Sequence, residues 1–264
     1  MERCLIGLSF DDGRIDNYSL LRPLLERYNL PATFNITTGY VLGKLNPGNP
    51  TDVKPMNMDM VKELSRNPLF EIAGHGWAHK NSIEDIHEGF DDLKRRLGVE
   101  KLTELGDGFA SPGTGLATET WRQLAAESGS SLKYARVSLR YTSHPKLKTL
   151  IRKVSRVTKW PLFYRWAYQD TLMDGVEDGK LYSVPVLASI SISELKALID
   201  YSVKHRKACI LMFHSIVPNG QVHDNWDYEE GPFSELCQYL KEQESCGTLQ
   251  VCKSIDIWNA LKKD

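Results

Sequence analysis

The chain has 264 residues, of which 41% are hydrophobic and 25% charged, with a formal net charge of -1. That length supports one large domain with a sizeable core. The near-neutral charge excludes whole-chain attraction to nucleic acid or to an anionic surface. The five cysteines (Cys4, Cys209, Cys237, Cys246 and Cys252) include no Cys-x2-Cys pair. A cysteine metal framework is therefore not expected, and a reduced compartment fits best. No apolar run approaches transmembrane length, and the first one is too short for a signal sequence. A cytoplasmic location is the expectation.

Taken in chain order, the candidate strands are Cys4–Phe10, Thr33–Thr37, Phe70–Ala73, Gly108–Ser111, Lys133–Val137, Leu181–Leu187, Cys209–His214 and Thr248–Cys252. They are short β-branched or apolar runs bounded by polar or turn residues. Helices fall between them. Asp16 is placed to cap a helix reaching Tyr28, with Leu20, Leu21, Leu24 and Leu25 on one face. Ser82 and Asp85 match a variant capping box ahead of a helix ending near Gly98. Thr118–Ser128, closed by Gly129, then Ser193–His205 and Phe233–Glu244 complete the set.

This alternation implies βα units around a parallel sheet, and about eight strands favour a closed or nearly closed barrel. Two segments break the rhythm, at 39–57 and 141–180. They read as insertions over one rim of a single domain spanning 1–264, because strand signals continue on either side.

Polar residues gather at the C-terminal ends of these strands, where βα barrels place their catalytic rim. Asp11 and Asp12 follow the first strand, His75 and His79 the third, and Pro112 and Gly113 the fourth. Arg136 lies near the end of the fifth, and His214 ends the seventh. Two adjacent carboxylates after an apolar strand are costly unless paired or bound to a cation. An Asp-Asp-Gly turn with a helix cap accounts for the motif equally well when taken alone. The i, i+4 spacing of His75 and His79 brings two imidazoles together if the segment makes a helical turn. With an Asp from a neighbouring strand end, the donor set becomes two nitrogens and one oxygen, which leaves an open position of the catalytic zinc kind. His214 at the same rim has an imidazole suited to proton transfer near neutrality.

Ser9-Phe10-Asp11-Asp12-Gly13, then His75-x-x-x-His79, then a turn with Pro112, then Phe213-His214, resembles the polysaccharide deacetylase family, the NodB-homology or carbohydrate esterase family 4 domain. The resemblance spans the chain in order. It implies a distorted (β/α)7 TIM-like barrel and removal of an N-acetyl group from a sugar. It also implies that Asp11 is the general base and that Asp12, His75 and His79 hold a divalent metal. That metal is expected to be Zn2+, with Co2+, Ni2+ or Mn2+ as alternatives. His214 would protonate the leaving amine, and the Gly113 amide would face the oxyanion. The chain departs from the family in its third motif, where Ala110-Ser111-Pro112-Gly113 replaces Arg-x-Pro-Tyr. Arg136 is a candidate substitute for the missing arginine.

Between Lys133 and Arg165 the chain has ten Lys or Arg and no Asp or Glu. Within it, the segment 144–168 interleaves bases with Trp160, Phe163, Tyr164, Trp166 and Tyr168. It reads either as a solvated basic face with packed aromatics, or as a lid for an anionic, lipid- or nucleotide-linked sugar with peripheral membrane contact. Nucleic acid is not an expected partner. Two other functions stay open: an amidase acting on a cyclic ureide or imide, and a glycan-binding protein without turnover.

Overall fold

The computed structural model describes residues 3–47, 54–98, 107–127, 132–140 and 145–262. Its centre is a closed barrel of seven parallel strands: β1 (Cys4–Phe10), β2 (Ala32–Ile36), β3 (Phe70–Gly74), β4 (Gly108–Ala110), β5 (Tyr134–Ser138), β6 (Lys180–Pro185) and β7 (Cys209–Phe213). Each strand pairs with the next, and β1 closes the ring against β7. This is the barrel that the resemblance implied. Strands buried on both faces read as nearly continuous apolar runs, and β1 is buried along its whole length.

The wall is distorted at one place. Only Ser9 and Phe10 of β1 pair with β2, while Cys4–Gly7 pair with β10 (Leu249–Cys252). The last strand is therefore wedged between β1 and β2 at the N-terminal end of the barrel. Glu71 secures this wedge: it accepts from Thr33 Oγ1 at 2.7 Å, Tyr134 Oη at 2.8 Å and Ile255 N at 3.2 Å.

Helices surround the ring. They are α1 (Arg22–Tyr28), the single turn α2 (Thr38–Val41), α3 (Met58–Arg66), α4 (Ile83–Leu97), α5 (Thr118–Ala126), α6 (Pro145–Thr158), α7 (Pro161–Tyr168), α8 (Ile192–His205), α9 (Glu230–Ser245) and α10 (Ser254–Leu261). A short pair, β8 (Ser215–Val217) with β9 (Asp227–Glu229), lies beyond β7. The outward faces form an aromatic core in which Phe10 packs on Phe34, Phe213 and Phe233, with ring centroids 5.3–5.9 Å apart. A separate apolar cluster joins Leu5, Tyr134, Leu181 and Ile210 to Ile257 and Leu261 of α10, which plugs the bottom of the barrel.

Several expectations are corrected. Asp16 makes no capping bond, and a five-residue π-turn at Asn17–Leu21 precedes α1. Ser82 does cap α4, accepting from Asp85 N, but the Asp85 carboxylate does not complete the box. It accepts instead from Ala78 N at 2.7 Å and Lys80 N at 3.0 Å. The helix after β4 ends at Ala126, and the Ser128–Gly129 closure lies outside the described residues. The 39–57 segment returns to the rim, where Pro55 bridges Arg14 and Met56 N donates to Gly13 O at 2.8 Å. Residues 48–53 of it, and 141–144 of the second insertion, lie outside the described residues.

Candidate metal and catalytic site

Side chains alternate inward and outward along a strand. On β1 the inward phase runs Leu5, Gly7, Ser9 and reaches Asp11; on β3 it runs Glu71, Ala73 and reaches His75. On β5 it is Tyr134 and Arg136, and on β7 it runs Ala208, Ile210, Met212 and reaches His214. The same phase that packs the barrel floor thus brings four of the expected residues to its mouth.

Asp12 is out of phase and is turned in by its backbone, with φ of 74° followed by 75° at Gly13. A left-handed conformation at a non-glycine residue costs on the order of 1 kcal/mol and tends to mark functional turns. Asp12 Oδ1 lies 3.5 Å from His75 Nε2 and 3.4 Å from His79 Nε2. The three donor atoms all lie within 4.8 Å of one another. His75 Nδ1 is 2.8 Å from Ala110 O; if it donates there, Nε2 keeps its lone pair toward the cluster.

His79 does not arrive by a helical turn, which is a correction. Gly76 and His79 both take positive φ, at 77° and 59°. The Asp85 carboxylate holds this loop from inside, and a Cβ on Gly76 would collide with Asp85 Oδ2. The two imidazoles meet edge to face, 4.8 Å apart.

The donor set fits a divalent cation. Asp12 Oδ1 is buried with no hydrogen-bond partner among the described residues, an arrangement that costs energy without a cation. Two imidazoles and one carboxylate suit a first-row metal with open positions for other ligands. Burial opposes ionisation of Asp12, but the adjacent His75 imidazole and the charges of His214 and Arg14 hold its carboxyl far below the usual range. Desolvation would lower His75, yet Asp11 and Asp12 outweigh it and raise it. His79 is lowered by burial and by His75.

Asp11 sits beside the cluster. Arg136 Nη2 donates to both of its oxygens, at 2.7 and 2.6 Å, and Asn35 Nδ2 donates to Oδ1 at 2.7 Å. Since β1 and β5 are not neighbours in the ring, this ion pair crosses the barrel interior. Arg136 is 1% exposed and also donates to Ser183 Oγ at 2.9 Å. Burial pushes the Asp11 carboxyl up, but Arg136, His75 and His214 together bring it below its ordinary value. The His214 ring packs on Trp226, centroids 4.3 Å apart, and burial lowers its pKa against the pull of Asp12 and Asp11.

The sequence profile described as polysaccharide deacetylase matches residues 1–129, the stretch that carries Asp11, Asp12, His75, His79 and Gly113. Over those residues the chain is similar to the polysaccharide deacetylase family. No curated protein matches the chain. A Mycobacterium smegmatis structure described as a polysaccharide deacetylase aligns with 98% of this chain and 90% of its own, at 13% identity and a TM-score of 0.58. Shorter alignments reach the BpsB deacetylase domain of Bordetella bronchiseptica (16% identity, TM-score 0.38) and the deacetylase PplD of Streptococcus pyogenes (22%, 0.37). The chain spans 62% and 54% of those two structures, and they align with 49% and 50% of it.

Around this site, several contributors have no motif of their own. Arg14 donates through Nε to Asp12 Oδ2 at 3.1 Å and through Nη1 to Ser215 Oγ at 2.9 Å, which leaves Oδ1 facing the histidines. Asn35 and Ser183 orient Asp11 and Arg136, and Asp85 shapes the His79 loop. Inward phase was the available signal for Asn35 and Ser183. Asp16 is buried, hydrogen-bonded to Ser215, and pushed up to about 7 by desolvation. Gly113 lies on an exposed turn after β4 with φ of 56°. Asn81 Nδ2 ties that turn to the His79 segment by donating to Pro112 O at 2.8 Å.

Proposed function

We propose that this chain is a metal-dependent hydrolase that removes the N-acetyl group from an N-acetylated sugar. The observation that carries the reading is the orphaned Asp12 oxygen facing two imidazoles, beside a carboxylate clamped by a buried arginine. Asp12, His75 and His79 hold the metal, of the Zn2+ type. When bound, it supplies Lewis-acid polarisation of the acyl oxygen.

Asp11 is the base. It accepts three hydrogen bonds, and a carboxylate has about four acceptor sites. One site therefore stays open to orient a water and take its proton. Arg136 keeps Asp11 ionised and fixes its direction, at some cost in basicity. The Gly113 amide is the donor toward the developing oxyanion. His214, packed on Trp226, delivers a proton to the departing amine. The basic character of the 133–165 segment supports a sugar carried on an anionic lipid or nucleotide group.

The test is acetate release from a panel of free, nucleotide-linked and lipid-linked N-acetyl sugars, with acetyl esters and cyclic ureides as comparison arms. Turnover of N-acetyl sugars by metal-loaded protein, lost after chelation and in Asp12→Ala, supports the reading. Turnover confined to cyclic ureides overturns it.

A further inference from the structure

We propose that the α6–α7 hairpin docks this protein onto an anionic lipid surface. Among the described residues, the exposed large hydrophobics are Leu147, Leu150, Val157, Trp160, Leu162, Trp166 and Val222. Six of these seven lie in the hairpin. Val157 is 83% exposed, Trp160 60%, Leu150 57% and Leu162 54%.

The pattern on α6 shows two separate stripes. Lys148, Ile151 and Ser155 are buried against the body of the protein. Leu147, Leu150, Val154 and Val157 recur at steps of three, four and three residues, which is a second helical stripe. That stripe faces away from the core, with three of its members exposed and Val154 half-buried. A surface helix needs one apolar face; the second has no partner among the described residues.

The charges beside it are all of one sign. From Pro145 to Tyr168 there are seven Lys or Arg and no acid. Two of the seven serve the interior. Lys148 Nζ donates to Trp166 O at 2.6 Å and pairs with Asp170 at 3.4 Å, and the Arg165 guanidinium lies over the Tyr201 ring. Lys146, Lys153, Arg156 and Lys159 are exposed. Leu, Val and Trp next to long basic side chains compose an interfacial helix, in which the bases reach headgroups while their stems stay in the apolar layer. Protein interfaces, by contrast, are depleted in lysine. No helix among the described residues is long and apolar enough to cross a membrane, so the hairpin would lie on the surface.

The hairpin is anchored to the catalytic rim. Ser155 Oγ donates to Glu194 Oε1 at 2.8 Å, and Lys159 Nζ donates to Ser189 O. Ser189 lies in the connection from β6 to α8 and Glu194 in the first turn of α8, at the C-terminal end of the barrel. Docking would therefore set the lipid surface beside the mouth.

The hairpin's exposed face shares no residue with the metal cluster, so the test reads lipid binding and not turnover. The full chain is floated with phosphatidylglycerol–phosphatidylcholine vesicles and with pure phosphatidylcholine vesicles. Binding is expected on the anionic vesicles and should weaken with salt. The combined K146Q, K153Q and R156Q variant should lose on the order of 100-fold in partitioning, at about 1 kcal/mol per base near an anionic surface. The combined V157S, W160S and L162S variant should lose about tenfold or more through buried apolar area. Unchanged circular dichroism and melting temperature would show that both variants fold. Absence of binding at low salt, or binding that neither variant weakens, overturns the proposal. Concentration-dependent dimerisation abolished by V157S, W160S and L162S, without vesicle binding, overturns it in favour of a second copy on this face.

Discussion

Replacing Arg136 with Met tests the centre of the site without requiring a known substrate. Arg136 is 1% exposed and Asp11 3% exposed, and the guanidinium contacts both carboxylate oxygens at 2.6 and 2.7 Å. Removing one partner of such a pair leaves an uncompensated buried charge, which costs about 3–5 kcal/mol. Loss of the Ser183 bond adds about 1 kcal/mol. In an Asp11→Asn background no carboxylate remains, so the same Arg136→Met change should cost only about 1–2 kcal/mol. The double-mutant cycle is thus expected to show coupling of about 2–5 kcal/mol. The assay is urea unfolding at pH 7 with chelator present.

The effect should also depend on pH. Asp11 is held below its ordinary pKa in the folded parent, so its stabilisation is present above the unfolded value and is lost as pH falls through the folded one. Without Arg136, burial acts largely unopposed and raises the carboxyl. The variant can then protonate Asp11 in mild acid, and its deficit should shrink as pH drops from 7 toward 5. Coupling below about 0.5 kcal/mol, or a deficit that does not change with pH, would refute the clamp.

Asp12→Ala should abolish Zn2+ binding measured by calorimetry, whereas His214→Gln should leave it intact while lowering kcat by about 10²–10⁴-fold. Gly76→Ala should weaken metal binding and lower the melting temperature, because its φ of 77° and the nearby Asp85 Oδ2 leave no room for Cβ. Asp16 has its folded pKa raised from 3.8 to about 7. Unfolding thus releases a proton in that window, and stability falls as pH rises through it. At about 1.4 kcal/mol per pKa unit the charged buried form costs at most ~4 kcal/mol. Asp16→Asn should therefore stabilise the protein more at pH 8 than at pH 5 in thermal melts; equal shifts at both would count against a neutral buried Asp16.

The barrel was legible because apolar strands punctuated by polar turns have few other arrangements. Each of the eight strands expected from the sequence is present, with ends displaced by one or two residues. What escaped is local geometry decided by contacts distant in the chain. Asp85 looks like a capping-box acid, since it stands three residues after Ser82 ahead of an apolar run. The positive φ at His79 creates free amides at Ala78 and Lys80, however, and the carboxylate satisfies those instead. The i, i+4 histidine spacing suggested a helical turn for the same reason: spacing does not reveal that Gly76 reverses the chain. The β8–β9 pair and the α10 plug carry short, weakly periodic signals and form because the barrel ends need covering.

The altered third motif shows what a closed barrel tolerates. An arginine after β4 and one on β5 are far apart in sequence, yet inward residues from different strands converge on the same axis. Asp11 requires a cation within reach, not a cation from a particular strand. Arg136 is long enough to cross the interior from β5, and Tyr134, two residues earlier in the same phase, packs the floor beneath it. With the cation supplied from β5, the β4 turn carries Ser111, Pro112 and Gly113, tied to Asn81. It follows that Arg136→Met with an arginine restored at Ala110 would recover a clamp only if that side chain also finds the place of Ser183. Ala110 is fully buried beside the carbonyl that holds His75 Nδ1, so the added side chain should disturb the metal ligands before it reaches Asp11.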